Sequence, residues 1–319
     1  MGELACPKPT RTCYRAIFIS PHLDDAVFSC GGRIAQLVKE GPVLVVNLFT
    51  RYLANIKIHG AVMGAERHQE ELAAAACLGF ESLSLDELDA PFRREDYHKL
   101  GNLFRPPTAA DVDWLPVLQA KLFGLLSGIE VEQLYVPLGI GWHVDHVLTH
   151  LAFNTWADRN KLLYYEDAPY CGIPHATRYR LDDMATYPSE REDISLKPSS
   201  ASQAWWQAAR AYADTALMKN LQPWIVRQGA VPAVGFYLWQ LMARHRRLAQ
   251  SAEKRTLKPV ITRITEQFEH KVTTMALYRS QFDEFFASRQ DCVASLTSYS
   301  QAMGFAEGVN ERYWVDAAT

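Results

Sequence analysis

The chain has 319 residues, 48% of them hydrophobic and 22% charged, with a formal net charge of −3. That is enough chain to bury a core without staples, and the charge balance carries no footprint of a nucleic-acid partner. The cysteines are scattered without a C-x-x-C pair, which favours reduced thiols over a disulfide framework or a zinc ribbon. No run approaches the roughly 20 apolar residues of a membrane span, so no stable membrane insertion is expected. No apolar segment of signal-peptide length precedes the first strand, and the expected location is the cytoplasm.

In chain order, residues 1–13 read as an irregular lead-in. Residues 16–19 (AIFI) form a buried strand, and Ser20-Pro21-His22-Leu23-Asp24-Asp25 follows at its C-terminal mouth. A helix is expected from there to about residue 40, where Gly41-Pro42 stops it. Residues 43–49 are a nearly unbroken apolar run, which suits a parallel strand covered on both faces. Residues 51–63 read as a loop, and 66–78 as a helix with early acids and Gly79 as its stop. Between 83 and 107 a short strand leads into a polar loop containing Asp89-Ala90-Pro91-Phe92-Arg93-Arg94. The spacing predicts a helix over 112–126 and a strand over 133–137. A second polar cluster, Gly141-Trp142-His143-Val144-Asp145-His146, follows that strand. A helix over 147–158 and a strand over 162–165, ending in Glu166-Asp167, complete this half. Strand–helix alternation implies right-handed crossovers and an α/β, Rossmann-like, mainly parallel sheet with helices on both faces.

Near residue 170 the character changes. Residues 171–200 carry little periodicity, and helices are expected at 203–218, 234–250, 260–287 and, more weakly, 293–303. Tryptophans are frequent here: Trp205, Trp206, Trp224, Trp239 and Trp314. The chain thus reads as a catalytic α/β part, 1–170, and an irregular segment with a mainly helical extension, 171–319, packed on it. The basic run Ala243-Arg244-His245-Arg246-Arg247 reads as a solvated helix end.

The two polar clusters carry the chemistry. His22 and Asp25, three apart on a tight loop, can point at one ion, and His146 can add a third ligand from a neighbouring strand end. Two histidines and an aspartate suit Zn²⁺ and leave a position open, as in catalytic sites. Asp24 is then placed to take the proton from the attacking water. His143, one turn before His146, is placed to stabilise a developing oxyanion or to protonate a leaving amine. Asp145 is placed to orient a histidine. Arg93 and Arg94 can meet an anionic substrate group; a solvated loop is the plainer account. Together these parts describe metal-assisted hydrolysis of an amide.

Pro21-His22-Leu23-Asp24-Asp25 together with His143-Val144-Asp145-His146 resembles the LmbE-like or PIG-L family of zinc-dependent de-N-acetylases. Gly31-Gly32 falls where that family has its glycine pair. Arg67-x-x-Glu70, with Ala74 and Leu78-Gly79, is similar to its second helix, and Lys271 with Tyr278-Arg279-Ser280-Gln281 to a C-terminal signature. The likeness covers about residues 15–166 well and the remainder thinly. It implies that His22, Asp25 and His146 hold Zn²⁺, that Asp24 is the base, that His143 assists electrostatically and that Arg67 touches substrate. An Arg67 paired with Glu70 or Glu71 along its helix accounts for that residue equally well. Two positions depart from the pattern: Ala26 stands where the family has Glu, and Gly141 where some members have Tyr.

The expected function is removal of an acetyl or other small acyl group from an N-acetylated amino sugar, glycoconjugate or related small metabolite. The expected partner is that small-molecule substrate, with a homo-oligomer left open. Three rivals stand beside it. One is an amidase for larger acyl groups or thiol conjugates. Another is a glycosyltransferase using Leu23-Asp24-Asp25 as an acidic metal motif, which leaves His143 and His146 unexplained. The third is a non-catalytic binding protein, against which the intact Asp24 argues.

Overall fold

The computed structural model describes residues 8–53, 64–184, 187–188, 201–213, 256–317 and a few positions between 232 and 240. Its strands are β1 (Cys13–Ser20), β2 (Val43–Asn47), β3 (Glu81–Ser84), β4 (Glu130–Pro137), β5 (Leu162–Tyr165), β6 (Tyr187–Pro188), β7 (Thr256–Arg263) and β8 (Asn310–Asp316). The helices are α1 (Asp25–Leu37), α2 (Gly64–Leu78), α3 (Ala90–Arg93), α4 (Leu100–Leu103), α5 (Ala109–Leu126) and α6 (Val144–Ala152). They continue as α7 (Ala176–Asp183), α8 (Ala201–Ala213), α9 (Phe268–Met275), α10 (Arg279–Phe285) and α11 (Arg289–Ala302).

The strands form one 8-stranded sheet in the order β3-β2-β1-β4-β5-β8-β7-β6. The first five pair in parallel, and β8 runs antiparallel between β5 and β7. Successive side chains of a strand point to opposite faces. Ile17 and Ile19 of β1 therefore enter one core with Leu44, Val46, Leu134 and Val136, against α5 and α6. Ala16 and Phe18 enter the other, with Val27, Phe28, Val45 and Tyr135, against α1, α2 and α9. A strand covered on both faces must be apolar at every position, which is why these runs do not alternate.

From β1 the chain builds outward through β2 and β3, then returns to place β4 on the other flank of β1. Strand order reverses between β1 and β4, and in open α/β sheets ligands collect beyond the C-terminal ends of the strands at such a reversal. Both polar clusters lie there.

The C-terminal part is woven into the same sheet and core. A Cβ on Gly32 of α1 would lie 2.5 Å from Ile264, so only glycine lets the segment leading into α9 come this close. Lys271 of α9 forms a buried 2.7 Å ion pair with Glu311 of β8. Glu311 also accepts from the backbone N–H groups of Gly32 and Arg33. Arg312 and Trp314 of β8 donate to the buried Glu166 carboxylate at 2.6 and 2.7 Å.

The mainly parallel α/β sheet expected from the sequence is present, and several local expectations are corrected. The helix expected over 260–287 begins instead as the strand β7, followed by α9 and α10. β8 was not foreseen as a strand. Within 171–200, read as irregular, residues Ala176–Asp183 form α7, and the helix after the second cluster ends at Ala152. The helix expected at 234–250, including the basic run 243–247, lies almost entirely outside the described residues, as do 214–218 and Trp224. Among the described residues no helix is long and apolar enough to cross a membrane.

Candidate active site

The first cluster is a strand-to-helix turn. Ser20 Oγ donates to the His22 carbonyl at 2.6 Å and accepts from the Ala26 N–H at 3.0 Å, which closes the loop and starts α1. Ala26 is part of the core, 1% exposed, so this position has no room for the charged side chain found there in the family. Asp24 caps α1 with φ 147°, a conformation that non-glycine residues rarely adopt. Backbone strain of this kind is held by the surroundings and concentrates at functional sites.

The second cluster is built the same way at the end of β4. Gly141 has φ 89° and Trp142 φ 60°, and His143 caps α6. A Cβ on Gly141 would sit 2.6 Å from the Tyr170 ring. A side chain at position 141 would therefore collide with the ring of Tyr170.

His22 and His146 converge on one oxygen of Asp25. Oδ2 lies 3.1 Å from His22 Nδ1 and 3.3 Å from His146 Nε2. The outer nitrogens are held by two further carboxylates: His22 Nε2 lies 3.2 Å from Asp145 Oδ2, and His146 Nδ1 lies 2.7 Å from Asp167 Oδ1. Carboxylates flank both nitrogens of each ring, an environment that favours the charged imidazole. Burial disfavours that charge, but the surrounding carboxylates outweigh it. The pKa of His22 stands well above its ordinary value, and that of His146 at about 10. Burial also works against the Asp25 carboxylate, and the two histidines, His146 foremost, hold its pKa well below the usual range.

Asp24 and His143 have the opposite character. Burial first, and then the Asp25 carboxylate, push Asp24 up to about 8. Burial, and then the charge on His22, bring His143 down to about 3. His143 Nδ1 accepts from the Asp145 N–H at 3.3 Å, which leaves the ring proton on Nε2. The His143 ring lies 5.0 Å from that of His22 and 5.5 Å from that of His146.

Arg67 reaches Asp24 from α2, with Nη2 3.5 Å from Asp24 Oδ1 and from the Leu23 carbonyl. Arg93 is taken up by the protein itself. It donates to Asp145 Oδ1 at 2.6 Å and to the Leu88 carbonyl at 2.9 Å, with Phe49, Trp114 and Tyr97 packed around its guanidinium. That makes it a brace for Asp145 and leaves little of it for a substrate group.

Two acidic residues to which the sequence assigned no role in the site belong to it: Asp167, expected near the pocket from its strand mouth but equally well explained as a cap, and Asp89. Asp167 orients His146, and its sequence signal was its place at the mouth of β5. Asp89, 9% exposed at the start of α3, lies 3.7 Å from His22 Nε2. Its only signal was an acid preceding Ala90-Pro91 at a helix start.

Among the described residues, two groups have ligand atoms within 4.8 Å of one another: His22, His143 and His146; and His22, Asp89 and Asp145. The second lies on the outer nitrogen of His22, where Asp145 already serves Arg93 and the Ala90 N–H. The inner side fits a zinc ion better. There His22 Nδ1 and His146 Nε2 both contact Asp25 Oδ2, and two imidazole nitrogens with a carboxylate oxygen are donor types of catalytic zinc sites.

The family model of the GlcNAc-PI de-N-acetylases, PIG-L, matches residues 17–157. Over those residues the chain is similar to that family. The chain is also similar to the 2'-N-acetylparomamine deacetylase of Streptomyces fradiae, 29% identical over 166 residues. That match covers 50% of this chain and 58% of the relative, so it spans little more than half of the relative's length. The fold is that of the A40926 pseudoaglycone deacetylase, with TM-score 0.58, 18% identity and coverage of 95% of this chain and 96% of that one. It is likewise that of the zinc-inhibited form of teicoplanin deacetylase, with TM-score 0.59, 16% identity and coverage of 95% and 98%. In both cases the parallel strands and the C-terminal strands are compared together, because nearly the whole chain is covered.

Proposed function

We propose that this PIG-L-type chain is a zinc-dependent hydrolase that removes an acetyl or other small acyl group from the amide nitrogen of an amino sugar, glycoconjugate or related small metabolite. The observation that carries the reading is the convergence of His22, Asp25 and His146 at the strand-order reversal, with Asp24 and His143 beside them. His22, Asp25 and His146 would hold the metal. When bound, it supplies Lewis acidity, lowering the pKa of water and polarising the amide carbonyl.

The protein groups do the rest. Asp24 accepts a proton from the attacking water, and a carboxyl pushed up to about 8 is a base matched to neutral pH. His143, neutral and with its proton on Nε2, donates to the carbonyl oxygen as negative charge develops there. Asp145 and Asp167 keep the two metal-binding rings in orientation, and Arg67 faces the substrate from the Asp24 side. The likeness to the GlcNAc-PI de-N-acetylase family and to a 2'-N-acetylparomamine deacetylase supports an N-acetyl amino sugar as the substrate. The scattered cysteines, free at every described position, fit the cytoplasm.

Metal analysis of the purified protein, followed by an assay for acetate release from N-acetylated amino sugars and simple amides, tests this. Stoichiometric zinc with release of acetate supports the reading; a zinc-loaded protein that hydrolyses no amide in the panel overturns it.

A further inference from the structure

Several polar groups without protein partners meet around Arg67. The Arg67 side chain is 8% exposed, and its Nε is buried with no hydrogen bond. Its guanidinium lies over the ring of Tyr52, 5.5 Å from the centroid, and Tyr52 Oη is also buried without a partner. Buried polar groups are almost always paired, so two orphans side by side call for an explanation.

A third group comes from the C-terminal part. Helix α10 docks on α2 through Ser280, whose N–H and Oγ donate to Glu70 at 2.9 and 2.5 Å. One turn further along α10 is Glu284, and one turn back along α2 is Arg67. Residues three or four apart lie on one helix face, so this antiparallel contact carries Glu284 toward Arg67. The Arg67 charge indeed acts on Glu284, whose own pKa is raised by partial burial. Glu284 is half-buried, and among the described residues it has neither a hydrogen bond nor an ion pair. The next residue, Phe285, packs 6.0 Å from the ring of Tyr170, which in turn lies 6.3 Å from the ring of His146. Helix α10 therefore reaches both sides of the site.

We propose that Tyr52 and Glu284, grouped about Arg67 beside Asp24, form a subsite for the hydroxyl groups of the substrate's sugar ring. The chemistry of the set carries this assignment. Arg67 Nε–H donates, Glu284 accepts, and Tyr52 Oη does either. A sugar hydroxyl both donates and accepts and can satisfy all three. Arg67 and Glu284 together are electrically neutral, so the subsite favours a hydroxyl over a carboxylate or phosphate in that position. A buried polar subsite discriminates strongly against an analogue that lacks the hydroxyl, because its own groups are then left unpaired.

The proposal rests on the deacetylase reading, and the test separates the two. Acetate release from N-acetylglucosamine and from N-acetylcyclohexylamine is compared for zinc-loaded wild type, Tyr52→Phe and Glu284→Gln. Binding of N-acetylglucosamine is measured in parallel by NMR titration of the zinc-free proteins. Each variant is expected to bind N-acetylglucosamine about 5- to 50-fold more weakly and to raise its KM more than it lowers kcat. The preference for the sugar over the cyclohexyl amide should fall about tenfold or more. Wild-type binding and KM in both variants overturns the subsite, as does an equal loss on the two amides. Wild type that releases acetate from neither amide overturns the deacetylase reading and this proposal with it.

Discussion

Asp167 Oδ1 lies 2.7 Å from Nδ1 of His146, while its Oδ2 accepts from the N–H groups of Gly139 and Ile140 at 2.7 and 2.8 Å. One carboxylate thereby fixes both the ring of a proposed metal ligand and the loop that leads to it. Asp167→Asn keeps the size but loses an acceptor charge. Loss of such an outer partner typically costs about 10- to 100-fold in metal affinity. Zinc competition against a chromophoric chelator measures it, and wild-type affinity in the variant would show that His146 needs no brace.

Arg93 is expected to matter for stability more than for substrate affinity. Asp145 is fully buried, and Arg93→Met would leave its carboxylate without its cationic partner. Removing one member of a buried pair commonly costs about 3–5 kcal/mol. A denaturant titration should show the loss. If stability held and KM rose for anionic substrates alone, Arg93 would be a substrate ligand after all.

The catalytic half of the sheet was largely legible from sequence, for a physical reason. β1, β2, β4 and β5 are covered on both faces, so their apolar runs stand out from the chain around them. β7 was not legible. Val260 and Ile261 are exposed at 36% and 37%, and the strand carries Lys258, Pro259 and Arg263, so neither a buried run nor a clean alternation marks it. β8 hid for another reason: Glu311 and Arg312 look like surface residues until Lys271 and Glu166, far apart in the chain, are brought beside them. In the site, the histidines and paired aspartates announced themselves by spacing. Asp89 and Asp167 did not, since a lone acid at a strand or helix end is usually a cap, and only tertiary contact gives it a histidine to hold.

Because β8 lies between β5 and β7, the first 170 residues are not expected to fold alone. Cutting the chain there strips Tyr313 and Trp314, 1% and 0% exposed, from the core and leaves Glu166 buried without Arg312. The truncated chain should lack a cooperative thermal transition by circular dichroism. A sharp transition close to that of the whole chain would make the C-terminal part an addition to an independent unit.

Asp25 and His146 are expected to act on metal itself. Asp25→Asn removes the anionic oxygen shared by His22 and His146, and His146→Ala removes a nitrogen donor, so each should purify with little zinc. Added zinc should partly restore Asp25→Asn, since the two nitrogens remain. Stoichiometric zinc in both variants as purified would place the metal elsewhere.

Asp24→Asn tests the central claim most directly, because Asp24 is not itself a proposed metal ligand yet is assigned the proton from water. Zinc content and acetate release are measured together on an N-acetyl amino sugar that the wild type hydrolyses. The account predicts zinc content close to that of the wild type, substrate binding little changed, and turnover lower by about 10²- to 10⁴-fold, the usual worth of a general base. Zinc-loaded Asp24→Asn turning over at the wild-type rate would contradict it.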